Sequence, residues 1–119
     1  MRLFLAITAL LIPTMASAQP YSHSMADCVG IYQNAAQWVD TDESANKLMH
    51  AVTQWADAAV TQARAEGISS PEERMWQRID SKTSEWETKG AGVFFTQDFR
   101  DWMQYCRSFA QDRGLSIQQ

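Results

Sequence analysis

Apolar residues recur at three- and four-residue steps along most of this chain, which is the spacing of one face of an α-helix. Four segments show the spacing, and short polar or glycine-containing stretches separate them. No segment shows the strict alternation of apolar and polar residues that indicates a β-strand. The pattern therefore predicts an all-α protein with four helices.

The first two predicted helices meet at the polar stretch 40–43. The apolar face of the first helix consists of Cys28, Ile31, Tyr32, Ala35, Trp38 and Val39. The face of the second is rich in alanine, the residue with the highest helix propensity: Ala45, Leu48, Met49, Val52, Ala56, Ala59, Val60 and Ala63. Asp40 or Thr41 can cap the second helix, and Gly67 is placed to end it in a left-handed conformation.

The third and fourth helices have clear start signals. Ser70 is followed by Pro71 and two glutamates, a capping box with proline at the first helical position. The third helix has a sparse apolar face: Met75, Trp76, Ile79 and Trp86. The fourth is expected to begin after Thr96 and to end at Gly114, with Phe94 and Phe95 packed against its first turn. Its apolar face consists of Phe99, Trp102, Met103, Cys106, Phe109 and Ala110.

The first eighteen residues differ from the rest of the chain. Arg2 is followed by a ten-residue apolar run, by Pro13 and by an Ala-x-Ala sequence that ends at Ala18. This is the layout of a secretory signal peptide cleaved after Ala18, and the run is shorter than the roughly 20 residues that span a bilayer. We therefore predict a leader over 1–18 and a single helical domain over 19–119, located in the periplasm or secreted.

The two cysteines, Cys28 and Cys106, are predicted to form a disulfide bond. They lie on the apolar faces of the first and last helices, which are neighbours in an antiparallel four-helix bundle. An exported chain also folds where disulfides persist, and the spacing is unlike the C-x-x-C of redox-active pairs. The expected fold class is a small four-helix bundle, or an irregular helical domain, closed by one disulfide.

Net charge limits the kinds of partner that the chain can bind. Without Arg2, nine basic and fourteen acidic residues remain, a net charge of −5 with histidine neutral. Such a chain repels phosphate backbones and anionic lipid headgroups. We therefore expect no nucleic-acid partner and no membrane insertion after removal of the leader, and we favour another protein as the partner.

Candidate chemistry is sparse. His23 is expected in a frayed N-terminal segment, and His50 is expected within the second helix, solvent-exposed or at the edge of its apolar face. Each has a methionine nearby, and copper(I) favours such nitrogen and thioether ligands. However, neither histidine belongs to a metal-binding pattern, and neither is paired with a nucleophile in the sequence. We therefore predict no catalytic residue, no metal site and no cofactor.

The tryptophans are the most informative side chains for function. Trp38 and Trp102 share faces with the cysteines and are expected near the disulfide. Trp76 and Trp86 lie on the third helix, flanked by Arg74, Arg78, Glu85 and Glu87. An aromatic ring surrounded by mixed charge is typical of a protein-binding hot spot. The alternative is that both rings are core residues of a helix with few apolar positions. Trp76 and Trp86 are the candidate partner surface.

Three functional hypotheses follow from these features. The first is an exported, non-enzymatic protein-binding domain, such as an inhibitor, an immunity protein against a delivered toxin, or an accessory subunit of an envelope complex. The second is a small periplasmic chaperone or stress protein, a hypothesis that depends on fold-level analogy alone. The third is an enzyme or a metal carrier, for which the sequence offers the least support.

Overall fold

Residues 19–117 are described by the computed structural model, and they form four α-helices and one short 3₁₀ helix. In chain order, α1, α2, α3 and α4 span Tyr21–Ala36, Asp42–Ala65, Pro71–Thr88 and Gln97–Asp112, and the 3₁₀ helix over Ala91–Phe95 precedes α4. The described residues contain no strand, so the all-α prediction is confirmed. The predicted leader, residues 1–18, lies outside the described residues.

α1 is the central helix of the fold. Eleven of its sixteen residues are buried, including the polar residues Ser22, Asp27 and Asn34. It packs against α2, α3 and α4, which therefore surround it. A helix at the surface of a globular protein buries only one stripe. The prediction of a single apolar face was therefore wrong for α1, because three neighbouring helices cover it on several sides.

α1 and α3 approach each other closely at Gly30. A Cβ atom placed at this residue would lie 2.7 Å from the Cβ of Lys82 and 3.1 Å from the backbone nitrogen of Thr83. Neither of these atoms can move aside without moving α3 itself. The contact therefore requires glycine at position 30, although glycine lowers the stability of a helix interior relative to alanine.

A partly buried ion pair joins the same two helices. The Arg78 guanidinium donates to both carboxylate oxygens of Asp27, with Nε–Oδ1 and Nη2–Oδ2 distances of 2.8 and 3.1 Å. Arg78 Nε also donates to the backbone oxygen of His23 at 3.3 Å. Asp27 is 5% exposed. Two-point contact between a guanidinium and a carboxylate fixes orientation as well as distance, so this pair sets the relative position of α1 and α3.

Glu66, just after α2, caps the start of α1. The Ser22 hydroxyl donates to Glu66 Oε1 at 2.5 Å, and the Ser22 backbone N–H donates to Oε2 at 3.3 Å. Gln62 donates to the same carboxylate at 2.9 Å. Burial raises the pKa of Glu66, but the hydrogen bonds from Ser22 and Gln62 lower it by more, so the pKa lies below its usual value. The contact therefore favours the ionised carboxylate.

The disulfide joins α1 to α4. Cys28 and Cys106 are completely buried, with their Cα atoms 5.7 Å apart, and they form the predicted bond. Trp38 lies beyond the end of α1, is 44% exposed and packs edge-on against Phe94 at 6.5 Å. Trp102 lies on α4 and packs against Tyr105 at 5.6 Å. The fold is therefore a four-helix domain closed by one disulfide.

Most helix ends agree with the sequence patterns. Thr41 caps α2 and Thr96 caps α4, each by accepting a hydrogen bond from a backbone N–H in the first turn. Gly67 follows α2 with a φ of +78°. The capping box at Ser70 was wrong: Ser70 has a φ of +48°, and its side chain makes no capping hydrogen bond. Pro71 nevertheless occupies the first position of α3 as predicted.

Candidate partner-binding site on the third helix

The structure places the two candidate tryptophans of α3 in different environments. Trp86 is 7% exposed. Its ring packs edge-on against Phe99 of α4 at 5.7 Å, and Lys89 Nζ lies 5.0 Å from its centroid. Phe99 in turn packs against Phe94 of the 3₁₀ helix at 4.8 Å. Trp86 therefore belongs to the core that attaches α4 to α3, and this placement removes it from the candidate surface.

Trp76 lies at the edge of the buried stripe of α3 and is 37% exposed. Residues three and four positions away are its neighbours on the helix surface, and these include Glu72, Glu73 and Asp80. All three are exposed, and Glu87 lies further along the same side. We call these four carboxylates the acidic flank. The candidate surface is therefore one large aromatic ring among carboxylates.

The carboxylates of the acidic flank have no cationic partner in the described residues. The ion pairs found over 19–117 involve other acidic residues: Glu43, Asp27, Glu85 and Asp98. Glu87 accepts a hydrogen bond from Gln37 Nε2 at 2.7 Å, and the donor is neutral. The charge of the flank is therefore available to an external cation.

The opposite side of α3 is basic, but most of its charge is neutralised within the protein. Arg74, Arg78 and Lys82 line an open groove beside His23, and Lys89 lines a second pocket that shares Lys82 with it. Arg78 is paired with Asp27, Lys82 with Glu85 at 3.0 Å, and Lys89 with Asp98 at 3.7 Å. The two sides of α3 therefore differ in net charge, and only the acidic flank has a substantial excess.

A cation is the complement of this surface for two reasons. Carboxylates attract lysine and arginine side chains. Salt screens this attraction, and at 0.1 M ionic strength the screening length is about 10 Å. A tryptophan face also attracts a guanidinium or ammonium group by cation–π interaction. Trp76 and the acidic flank therefore offer both kinds of interaction to a cationic group.

The two histidines lie on different helices. His23 lies in the first turn of α1, so the expectation that it belongs to a frayed segment was wrong. His50 is exposed on α2. No group of three or more His, Cys, Asp or Glu residues over 19–117 is arranged to hold a metal ion.

A second group of exposed aromatic side chains was missed by the sequence patterns. Tyr21 is 57% exposed, lies 6.2 Å from Phe109 and is stacked on by the Arg113 guanidinium at 4.1 Å. Tyr105, which is 45% exposed, stacks against Phe109 at 5.7 Å. We call Tyr21, Phe109 and Tyr105 the exposed aromatic row. Tyr21 precedes the first apolar residue used to predict α1. The sequence analysis therefore did not place Tyr21 on a helix. A first helix extended back to Tyr21 would have included this ring among the helical aromatic residues.

Comparison with known proteins adds no candidate function. No protein family, curated protein or solved structure matches the chain.

Within the part of the chain that the structure describes, no helix combines the length and the apolar character needed to cross a membrane.

Proposed function

We propose that this protein is an exported, non-enzymatic binding domain that contacts a positively charged protein surface through Trp76 and the acidic flank of α3. Inhibitors, immunity proteins and accessory subunits of envelope complexes all belong to this class. The observation that carries the proposal is an exposed tryptophan among carboxylates that have no cationic partner in the described residues.

Tryptophan and charge have separate roles in this contact. A few residues provide most of the binding energy of a protein interface, and tryptophan is among the commonest of them. Surrounding charges mainly steer the encounter and select partners of opposite sign. Trp76 would therefore set the affinity, and the acidic flank would set the association rate and the preference for a basic partner.

Attachment of α3 to the core supports this role. The Asp27–Arg78 ion pair and the close approach at Gly30 hold α3 against α1, the helix at the centre of the fold. A surface that is already ordered loses less conformational entropy when it binds. The contact surface on α3 is therefore already ordered before the partner binds.

The experiment uses two pairs of matched variants. Trp76→Ala is compared with Trp38→Ala, a similarly exposed tryptophan outside α3. The double charge reversal Glu73→Lys/Asp80→Lys is compared with Asp57→Lys/Asp112→Lys, which reverses the same number of exposed carboxylates on α2 and α4. A partner captured from the source envelope with the wild-type protein is identified by mass spectrometry, purified, and titrated against each variant at low and high salt.

The expected results separate the two roles. Trp76→Ala weakens binding by about 2 kcal/mol, roughly 30-fold, whereas Trp38→Ala binds as the wild type does. The reversal on α3 lowers the association rate and its dependence on salt, and the equal charge change in Asp57→Lys/Asp112→Lys has a smaller effect. A partner that binds Trp76→Ala and the reversal on α3 as tightly as the wild type would refute the proposal.

The exposed aromatic row gives a specific reason to keep the chaperone hypothesis as the second candidate. Tyr21 and Tyr105 present rings that are about half exposed, and exposed apolar surface marks sites that bind other chains. A chaperone would suppress aggregation of unrelated unfolded proteins, and Tyr21→Ser/Tyr105→Ser would remove that activity. If the wild type does not suppress aggregation, or if the double substitution suppresses it as well as the wild type does, the chaperone hypothesis is rejected and the first proposal remains.

A further inference from the structure

The side chain of Gln19, directly ahead of α1, is held at both ends of its amide group. Its Nε2 donates hydrogen bonds to Asp27 Oδ2 at 3.0 Å and to Ser24 Oγ at 3.2 Å. Its Oε1 accepts a hydrogen bond from Arg78 Nη2 at 2.9 Å. The Gln19 amide is thus the third member of the ion pair that joins α1 to α3.

Gln19 is also the residue that cleavage of the predicted leader after Ala18 would make the first of the mature chain. A glutamine at a free N-terminus can cyclise. The neutral α-amine nitrogen attacks the side-chain Cδ, the N–Cδ bond forms, and the Cδ–Nε2 bond breaks. Nε2 then leaves as ammonia with one proton from the amine. The product, pyroglutamate, is a neutral lactam that is lighter by one ammonia molecule.

We propose that Asp27, Ser24 and Arg78 form a site that protects the mature N-terminal Gln19 from this cyclisation, an inference that depends on cleavage after Ala18. Ring closure requires Cδ to lie close to the α-nitrogen of the same residue. The hydrogen bonds instead direct the Gln19 side chain along the helix, towards Asp27 in the second turn of α1. The amide must leave all three partners before its carbon can be attacked.

The reaction would also remove a contact that the fold uses. Pyroglutamate has no Nε2, so Asp27 and Ser24 would each lose a donor. Asp27 is 5% exposed, and Arg78 donates one hydrogen bond to each of its carboxylate oxygens, each of which can accept a second. Hydrogen bonds to ionised groups are stronger than those between neutral groups. Intact Gln19 therefore contributes to the attachment of α3 to α1, and its loss would weaken that attachment.

The experiment measures cyclisation directly. The chain is produced with its disulfide and with a protease site placed so that cleavage leaves Gln19 as the first residue. After cleavage, loss of ammonia at pH 8 is followed by intact mass in the folded protein and in the same chain reduced and unfolded in urea. We expect the folded protein to react about tenfold more slowly, which corresponds to about 1.4 kcal/mol.

Variants identify the groups responsible. Arg78→Lys lacks the guanidinium that binds Oε1, and Ser24→Ala lacks one acceptor for Nε2, so both should react faster than the wild type while folded. Arg74→Lys changes a neighbouring arginine that has no bond to Gln19 and should react as the wild type does. Circular dichroism confirms that each variant is helical. If Arg78→Lys does not fold, Ser24→Ala carries the comparison.

Three results would overturn the proposal. The first is equal rates in folded and unfolded wild-type protein. The second is a folded Arg78→Lys or Ser24→Ala protein that reacts no faster than Arg74→Lys. The third is an N-terminal residue other than Gln19 in protein exported with its own leader, which would show that the protected terminus does not exist. None of these results bears on the binding surface around Trp76.

Discussion

Gly30→Ala tests whether α1 and α3 approach each other as closely as the structure shows. The added Cβ would lie 2.7 Å from Lys82 Cβ and 3.1 Å from Thr83 N. Ordinary contacts between carbon atoms have separations of about 3.5–4.0 Å, so the helices must separate by about 1 Å or twist. Either movement also strains the Asp27–Arg78 ion pair, which lies close along both helices.

Two opposing terms set the magnitude. Forcing an extra methyl group into a well-packed contact costs about 1–3 kcal/mol. Alanine in place of glycine in a helix interior returns about 0.5–1 kcal/mol. The contact term is larger, because Lys82 Cβ and Thr83 N belong to the helix framework and have no rotamer in which they move away. We therefore expect a net loss of about 1–2 kcal/mol in the free energy of unfolding.

Urea denaturation of the disulfide-bonded protein, followed by far-UV circular dichroism, measures this loss. Gly92→Ala is the matched control, because a Cβ at Gly92 has no atom within 4 Å and the residue has no positive φ. We expect the midpoint to fall for Gly30→Ala at an unchanged denaturant slope, and to stay or rise slightly for Gly92→Ala. A Gly30→Ala protein as stable as Gly92→Ala would refute the close approach of the two helices.

Three further predictions concern the core, the disulfide and the acid response. Trp86→Ala should lower the free energy of unfolding by about 3–5 kcal/mol, whereas Trp76→Ala should cost about two-thirds of that or less, because the loss scales with buried area and 37% of Trp76 but only 7% of Trp86 is exposed. Thermal melts compare the two, and equal losses would contradict their different burial. Replacement of Cys28 and Cys106 together by alanine should cost about 4 kcal/mol for a closed loop of this length and keep a helical spectrum. A double variant that melts as the wild type does would argue against this contribution. The lowered pKa of Glu66 means that its contact stabilises the fold above the ordinary glutamate pKa and that this contribution is lost as the pH falls through the folded-state value. Urea titrations at pH 7 and pH 3 should therefore show a larger acid-induced loss for the wild type than for Glu66→Gln, and equal losses would exclude this contact as the cause.

The sequence by itself determined the features that depend on neighbours within a few residues. Helix formation follows from apolar spacing, and the caps at Thr41 and Thr96 and the turn at Gly67 follow from local backbone chemistry. The disulfide between Cys28 and Cys106 was also predictable, because the chain has only two cysteines and both lie on apolar faces. At Ser70 the same local reasoning failed, because the backbone there adopts a left-handed conformation.

The features that involve residues distant in sequence were decided by the tertiary structure. Periodicity placed Trp76 and Trp86 on one face of α3, but only the position of Phe99 on α4 decided that Trp86 is buried. The partners Asp27 and Arg78 are 51 positions apart, and no local pattern relates them. The spacing of apolar residues tells which side of a helix can be buried. How much of that side is covered depends on the other helices, and it is this coverage that left Trp76 and its carboxylates at the surface.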